Sequence, residues 1–209
     1  MGLISLLLKD PKMFAVLAVL LLYSVILHEV SHGLVAGWFG DDTAKRYGRL
    51  TLNPLPHIDP VGALLLFLVG FGWARPVPVN YALLRPRRIA IIAVALAGCA
   101  ANLCLAVGAL LLLRQEAVRQ NALLSEALPV MVRINIILCA FNLLPIPPLD
   151  GSKILYGFFP AAGRVLEKIE PFGFVILIIL LATRLLEPMI DFMQRGIYGL
   201  IAFLFHFFR

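Results

Sequence analysis

The chain has 209 residues, 61% of them hydrophobic and only 14% charged, whereas soluble domains carry roughly 25% charged and 45–50% apolar residues. That balance sets aside an ordinary water-soluble domain and points to a membrane protein. The formal charge of +6 does not indicate a nucleic-acid partner, because Lys and Arg fall between apolar runs and form no arginine-rich or aromatic-interleaved basic tract.

In chain order, the first apolar run extends from Met13 to Phe39, long enough to cross a hydrocarbon layer of ~30 Å with room to tilt. Lys9 and Lys12 precede it as in a signal peptide. However, no small-residue cleavage site lies ahead of the motif HEVSH, so the segment reads as a retained span. Val61–Trp73 is too short to cross and reads as a re-entrant or interfacial piece. Ile89–Leu113 and Pro129–Leu144 are full spans, the latter running into a proline-rich end. Phe172–Ile190 is a further span, with Arg184 and Glu187 as end-of-span residues. Ile197–Phe208 is short and aromatic. Cys99, Cys104 and Cys139 lie within apolar segments without CxxC spacing and read as small buried hydrophobes.

The expected fold is therefore an all-α polytopic membrane protein with about four to six membrane segments. It forms one unit over residues 1–209, with a core at 13–151 and additional C-terminal membrane segments at 172–208. Between the first and second spans stand Lys45, Arg46, Arg49, Arg75, Arg85, Arg87 and Arg88. The next loop offers Arg114 and Arg119, offset by Glu116 and Glu126. The positive-inside rule makes the first of these sides cytoplasmic. RYGRLTL, residues 46–52, alternates as a strand does and could pair with WARPVPV as a short cytoplasmic β-hairpin, or equally form an interfacial loop with snorkelling arginines.

Two histidines and a glutamate stand in the last part of the first span, in SVILHEVSHG. His28 and His32 are four residues apart, so on a helix they share one face and can reach the same metal ion. Glu29 follows the first histidine, where its carboxylate can meet a metal-bound water without being a ligand. This is the HExxH arrangement of zinc hydrolases. Random placement of this composition would produce it about 0.002 times, and ionisable groups at membrane depth are functional candidates by default. A catalytic zinc needs a third protein ligand. His206 lies in the final aromatic run, and His57 and Asp59 belong to the turn-rich NPLPHIDPVG. Asp150 ends FNLLPIPPLDG at the cytoplasmic mouth of its span, at the depth of the two histidines, and is favoured.

HEVSHG in a first long span, followed by LTLNPLPHIDPVG, GWARPVPVN, LAGCAANL and FNLLPIPPLDG, resembles the site-2 protease family, in particular its compact prokaryotic branch without a PDZ domain. The resemblance touches residues 27–151. It implies one Zn2+ per chain, held by His28, His32 and Asp150, with Glu29 as general base. The family's glycine-proline-x-x-asparagine pattern falls on Gly98–Asn102, with Cys99 in place of proline. Asn102, and Asn142 ahead of LDG, match positions that orient substrate or intermediate. By chemistry alone, an asparagine in a span also serves as a hydrogen bond between helices, and that reading stands beside the first.

The function expected is intramembrane zinc endopeptidase, cutting membrane proteins within or near their transmembrane segments. Its substrate would be a single-span helix, locally unwound. The expected location is the cell membrane, as a multi-pass protein with the active site toward the cytoplasm. The alternatives are a non-catalytic scaffold, or a metal-binding or transport protein using the same ligands. A transporter would place polar groups on several spans along a path, and a purely structural zinc has no need of Glu29. Oligomeric state is not legible.

Overall fold

The structure is a computed structural model that describes residues 7–70 and 72–207. Among the described residues it is helical and has no strand ladder. Helix α1, Pro11–Trp38, begins where the Asp10 carboxylate accepts the Met13 N–H and Pro11 occupies the first turn. Its buried residues run from Ser24 to Ala36, so its fully buried face is confined to its second half. Gly40, with φ +95°, releases the chain into a loop and the short helix α2, Thr43–Arg46.

The piece expected to be re-entrant is α3, Pro60–Val69. Asp59 caps it by accepting the Val61 and Gly62 N–H groups, and left-handed Gly70 ends it. Ten residues rise about 15 Å, half a hydrocarbon layer. Its two feet meet: Ile58 and Ala74 form an antiparallel bridge, and the Arg75 N–H donates to the His57 carbonyl at 2.8 Å. A β-carbon on Gly62 would collide with the Trp73 backbone, so the returning chain lies directly on the helix. The chain therefore runs out along α3 and doubles back onto its own starting point.

The hairpin expected between residues 46–52 and WARPVPV is not observed. Residues 47–53 are turn and coil, and residues 72–80 form an extended strap whose only bridge is Ile58–Ala74. Pro76 and Pro78 have no N–H to offer a ladder, which confines the strap to isolated bonds. The Arg49 guanidinium donating to the Arg75 carbonyl at 2.9 Å takes the place of strand pairing. Buried Asp41 pins the strap's far end, accepting the Asn80 N–H at 2.6 Å together with the Thr43 N–H and hydroxyl.

Helix α4, Arg87–Leu112, is the centre of the bundle. Half of its apolar window is buried, against 22% for α1 and 28% for the third long helix. Ala90, Ala95, Ala97, Gly98, Ala106 and Ala109 are buried along it, and small residues let neighbouring backbones approach closely. A short α5, Glu116–Gln120, leads to α6, Ala122–Asn142, which starts seven residues before the expected Pro129 and carries that proline inside. Then come α7, Asp150–Phe158, and α8, Pro160–Ala182.

Phe172–Ile190 is not one straight span. The chain breaks after Ala182 and resumes as α9, Glu187–Phe207, with a bend of 91° between the two pieces. Arg184 at φ 59° is left-handed, and Pro188 tolerates only the start of a helix, so α8 cannot continue. The Arg184 guanidinium faces Glu187 at 3.6 Å. Helix α9 returns along α6, with Ile197 and Ile201 buried among α4 and α6 residues and Arg114 stacked 4.4 Å above the Phe205 ring. It contains the expected Ile197–Phe208 segment except Phe208, which lies outside the described residues. Among the described residues three helices, α1, α4 and α6, are long and apolar enough to cross a membrane, or four spans if the bent α8–α9 pair counts as one.

Candidate metal centre

His28 and His32 both project from the buried half of α1 toward α7, where Asp150 occupies the first turn. Asp150 gets there because the Pro145, Pro147 and Pro148 loop ends α6 and restarts the chain. A β-carbon on Gly151 would collide with the Leu143 and Leu144 carbonyls, so the glycine of LDG lets α7 begin against that loop. An anionic side chain also suits the positive end of a helix dipole.

The two Nε2 atoms lie 3.0 Å apart, and Asp150 Oδ2 is 3.2 Å from His28 Nε2 and 3.3 Å from His32 Nε2. Three ligands on a tetrahedral ion with bonds of about 2.0–2.1 Å would be separated by about 3.3–3.4 Å. The triangle is that size to within a few tenths of an ångström.

Proton positions make the same point. The His32 Nδ1–H donates to the Val94 carbonyl of α4 at 2.6 Å, which leaves Nε2 with a lone pair. The Asn102 amide lies 3.2 Å from His28 Nδ1, and its oxygen is buried without a partner as drawn. Turning the amide brings that oxygen onto the imidazole N–H, and His28 Nε2 then also carries a lone pair. Asp150 Oδ2 is buried and receives no hydrogen bond. With both imidazole N–H groups turned outward in this way, two lone pairs and a carboxylate oxygen converge, an arrangement that suits a cation. The residues fit a zinc ion.

Glu29 is half-buried, and its Oε2 accepts the Val77 N–H at 3.0 Å. The strap reaches it because Gly33 has no side chain. A β-carbon there would come within 2.6–2.9 Å of Leu50, Ala44 and Val77. The glycine of HEVSHG therefore admits two loops onto the helix face one turn beyond Glu29.

Asn102 is fully buried and faces His28. Asn142 donates its amide to the Leu138 carbonyl one turn back, at 2.9 Å. His57 is fully buried away from the ligand group, its Nε2–H donating to the Thr51 carbonyl at 2.9 Å. Asp59 is a helix cap and His206 is exposed on α9. Sequence reasoning missed the Val94 carbonyl and the Val77 N–H. Both are backbone groups, and no side-chain pattern announces them.

A cavity of about 240 Å³ opens beside the LDG turn, lined by Tyr81, Arg87, Lys153, Tyr156, Leu166 and Glu170 among others. Lys153 pairs with Glu170 at 2.6 Å and lies 5.6 Å from the centre of the Tyr81 ring. Burial, followed by the Asp150, Glu170 and Glu29 carboxylates, pushes the Tyr81 phenol well above its ordinary range, so it stays protonated.

Comparison with known proteins fits this geometry. The model of Peptidase family M50 matches residues 113–183, a stretch that holds Asp150 but neither histidine. Over 201 residues the chain is 39% identical to "Putative zinc metalloprotease YwhC" of Bacillus subtilis, covering 90% of this chain and 92% of that relative. It is 34% identical over 171 residues to a protein of the same description, Rip2 of Mycolicibacterium smegmatis, covering 78% of this chain and 64% of Rip2. No solved structure matches significantly.

Proposed function

Since the chain belongs to peptidase family M50, the site-2 proteases, and is an intramembrane zinc endopeptidase, we propose that His28, His32 and Asp150 hold its zinc and that Glu29 is its general base. The observation that carries this reading is the triangle of ligand atoms 3.0–3.3 Å on a side. When bound, zinc supplies a Lewis acid that makes water a nucleophile near neutral pH and polarises the peptide carbonyl.

The protein's own groups do the rest. The Val94 carbonyl and the Asn102 amide hold the two imidazoles in the tautomer that presents Nε2. Asn142, spent on its own helix, orients the end of α6 ahead of the LDG loop. Val77 N–H fixes Glu29 Oε2, leaving the other carboxylate oxygen to handle protons. Glu29 takes a proton from the attacking water as its oxygen bonds to the carbonyl carbon. It then delivers that proton to the amide nitrogen as the C–N bond breaks. The products are a new carboxylic acid and a new amine, which become carboxylate and ammonium once the acid's proton passes to the amine.

The substrates are membrane proteins. In our reading each presents a single span, locally unwound, because a helix shields its amide bonds with internal hydrogen bonds. Unwinding and water entry are easiest near an interface, and the site lies there. His28 is 18 residues beyond the Asp10 cap, about 27 Å along a helix. The basic loops between α1 and α4 stand at that end, which favours the cytoplasmic side of the cell membrane. The cavity lined by Arg87 and Lys153 would give water a route from the same side. A transport or scaffold role draws no support from these observations, since the ionisable cluster is confined to one place.

The test is to compare membrane-protein fragments in cells carrying the wild type or the Glu29→Gln variant. Fragments ending within or beside a transmembrane segment should appear with the wild type only. A fragment pattern identical in the two strains would contradict the reading.

A further inference from the structure

Arg49 lies in the loop after α2, and nothing in the mechanism above uses it. Its Nη2 donates to the Arg75 carbonyl at 2.9 Å, while its Nε is buried without a partner. An unmet buried donor is costly, and such a group in a native fold calls for a reason. Saturation of its own hydrogen bonds is not what holds Arg49 in place.

Its surroundings supply the reason. On the strap, the Arg75 carbonyl takes the Arg49 bond, and two residues later the Val77 N–H holds Glu29. In an extended chain residues i and i+2 offer their backbone groups on the same side, so Arg49 and Glu29 engage one edge of the strap at successive positions. Leu50, adjacent to Arg49, and Val77 both abut Gly33, one turn beyond Glu29 on α1. The charged groups that face Arg49 are Arg75 and Glu29. Burial, and then the Arg75 cation, push the Arg49 guanidinium below its ordinary range, and the Glu29 carboxylate works against both.

We propose that Arg49 is a positioning residue for the general base: by gripping the Arg75 carbonyl it sets the strap so that Val77 N–H fixes one oxygen of Glu29, while its charge faces that carboxylate. The inference rests on Glu29 being the base. No metal ligand hydrogen-bonds Arg49, so its loss should act on the chemical step and leave zinc binding alone. Misplacing a reacting group by about 1 Å can cost ~10²-fold in rate.

The experiment uses the full chain in lipid vesicles with a single-span substrate that the wild type cuts. Zinc content, kcat and KM are measured for Arg49→Gln, Arg49→Lys, Val77→Pro and, in parallel, Glu29→Gln. Arg49→Gln and Val77→Pro should each keep about one zinc and a KM within about threefold of wild type, and lose at least ~10-fold in kcat. Arg49→Lys, which keeps a cation and a donor, should recover part of the loss. An Arg49→Gln enzyme with wild-type kcat, one whose zinc falls in step with its activity, or no recovery with lysine would each overturn the inference. If Arg49→Gln does not fold, Val77→Pro decides, and a wild-type kcat there breaks the link from strap to base. A Glu29→Gln enzyme at wild-type rate brings down the base assignment itself. An inactive Glu29→Gln beside an unimpaired Arg49→Gln brings down this inference only.

Discussion

The imidazole of His28 rests directly against Gly98 of α4, so close that a β-carbon at residue 98 would overlap the ring. One helix thus shapes the candidate metal centre by lacking a side chain where its neighbour presents His28, the proposed ligand.

Gly98→Ala should therefore displace His28 and strip the zinc. Overpacking of this kind typically costs about 1–3 kcal/mol, and here the strain falls on a ligand. Gly108→Ala on the same helix meets open space and is the control. Metal analysis of the two purified variants checks this: zinc should be lost from the first and kept by the second.

Asn102 should matter to zinc affinity more than to folding. Asn102→Leu removes the acceptor of the His28 Nδ1–H and should weaken zinc binding about 10–100-fold, the usual weight of such an outer partner. Competition against a chelator of known affinity measures it. Unchanged affinity would return Asn102 to the role of a bond between helices.

His57 and Asp150 should part company. Asp150→Ala should release the zinc. His57→Ala should keep it and lose stability instead, because the fully buried ring lies at the foot of α3 and bonds the Thr51 carbonyl. If His57→Ala empties the site and Asp150→Ala does not, the ligand assignment is wrong.

Accessibility tags should find Asp42 and Arg87 on the cytoplasmic side and Gln120 on the other. The contact between the feet of α3 requires the first two to agree. Opposite faces for Asp42 and Arg87 would make α3 a crossing.

Much of this was legible in the sequence, for identifiable reasons. HExxH and LDG mark a candidate site because ionisable groups at membrane depth are costly, and the brevity of α3 could be read from its short apolar run. The strand reading of RYGRLTL failed because alternation is a local signal, whereas the prolines at 76 and 78 sit in its intended partner. The break after Ala182 turned on a left-handed Arg184, a conformation that composition does not reveal. The partners of His32 and Glu29 are backbone groups at Val94 and Val77, and only the fold brings them there.

The central claim is that Glu29 moves protons and does not hold the metal. Glu29→Gln keeps the shape of the side chain and the acceptor for Val77 N–H, but an amide does not take up a proton near neutral pH. The decisive measurement is zinc content and turnover of this variant, reconstituted in lipid with a single-span substrate that the wild type cuts. The mechanism requires about one zinc per chain and a turnover reduced by at least ~10²–10⁴-fold, the usual weight of general acid–base catalysis. A variant that holds its zinc and still cuts at near the wild-type rate would contradict it.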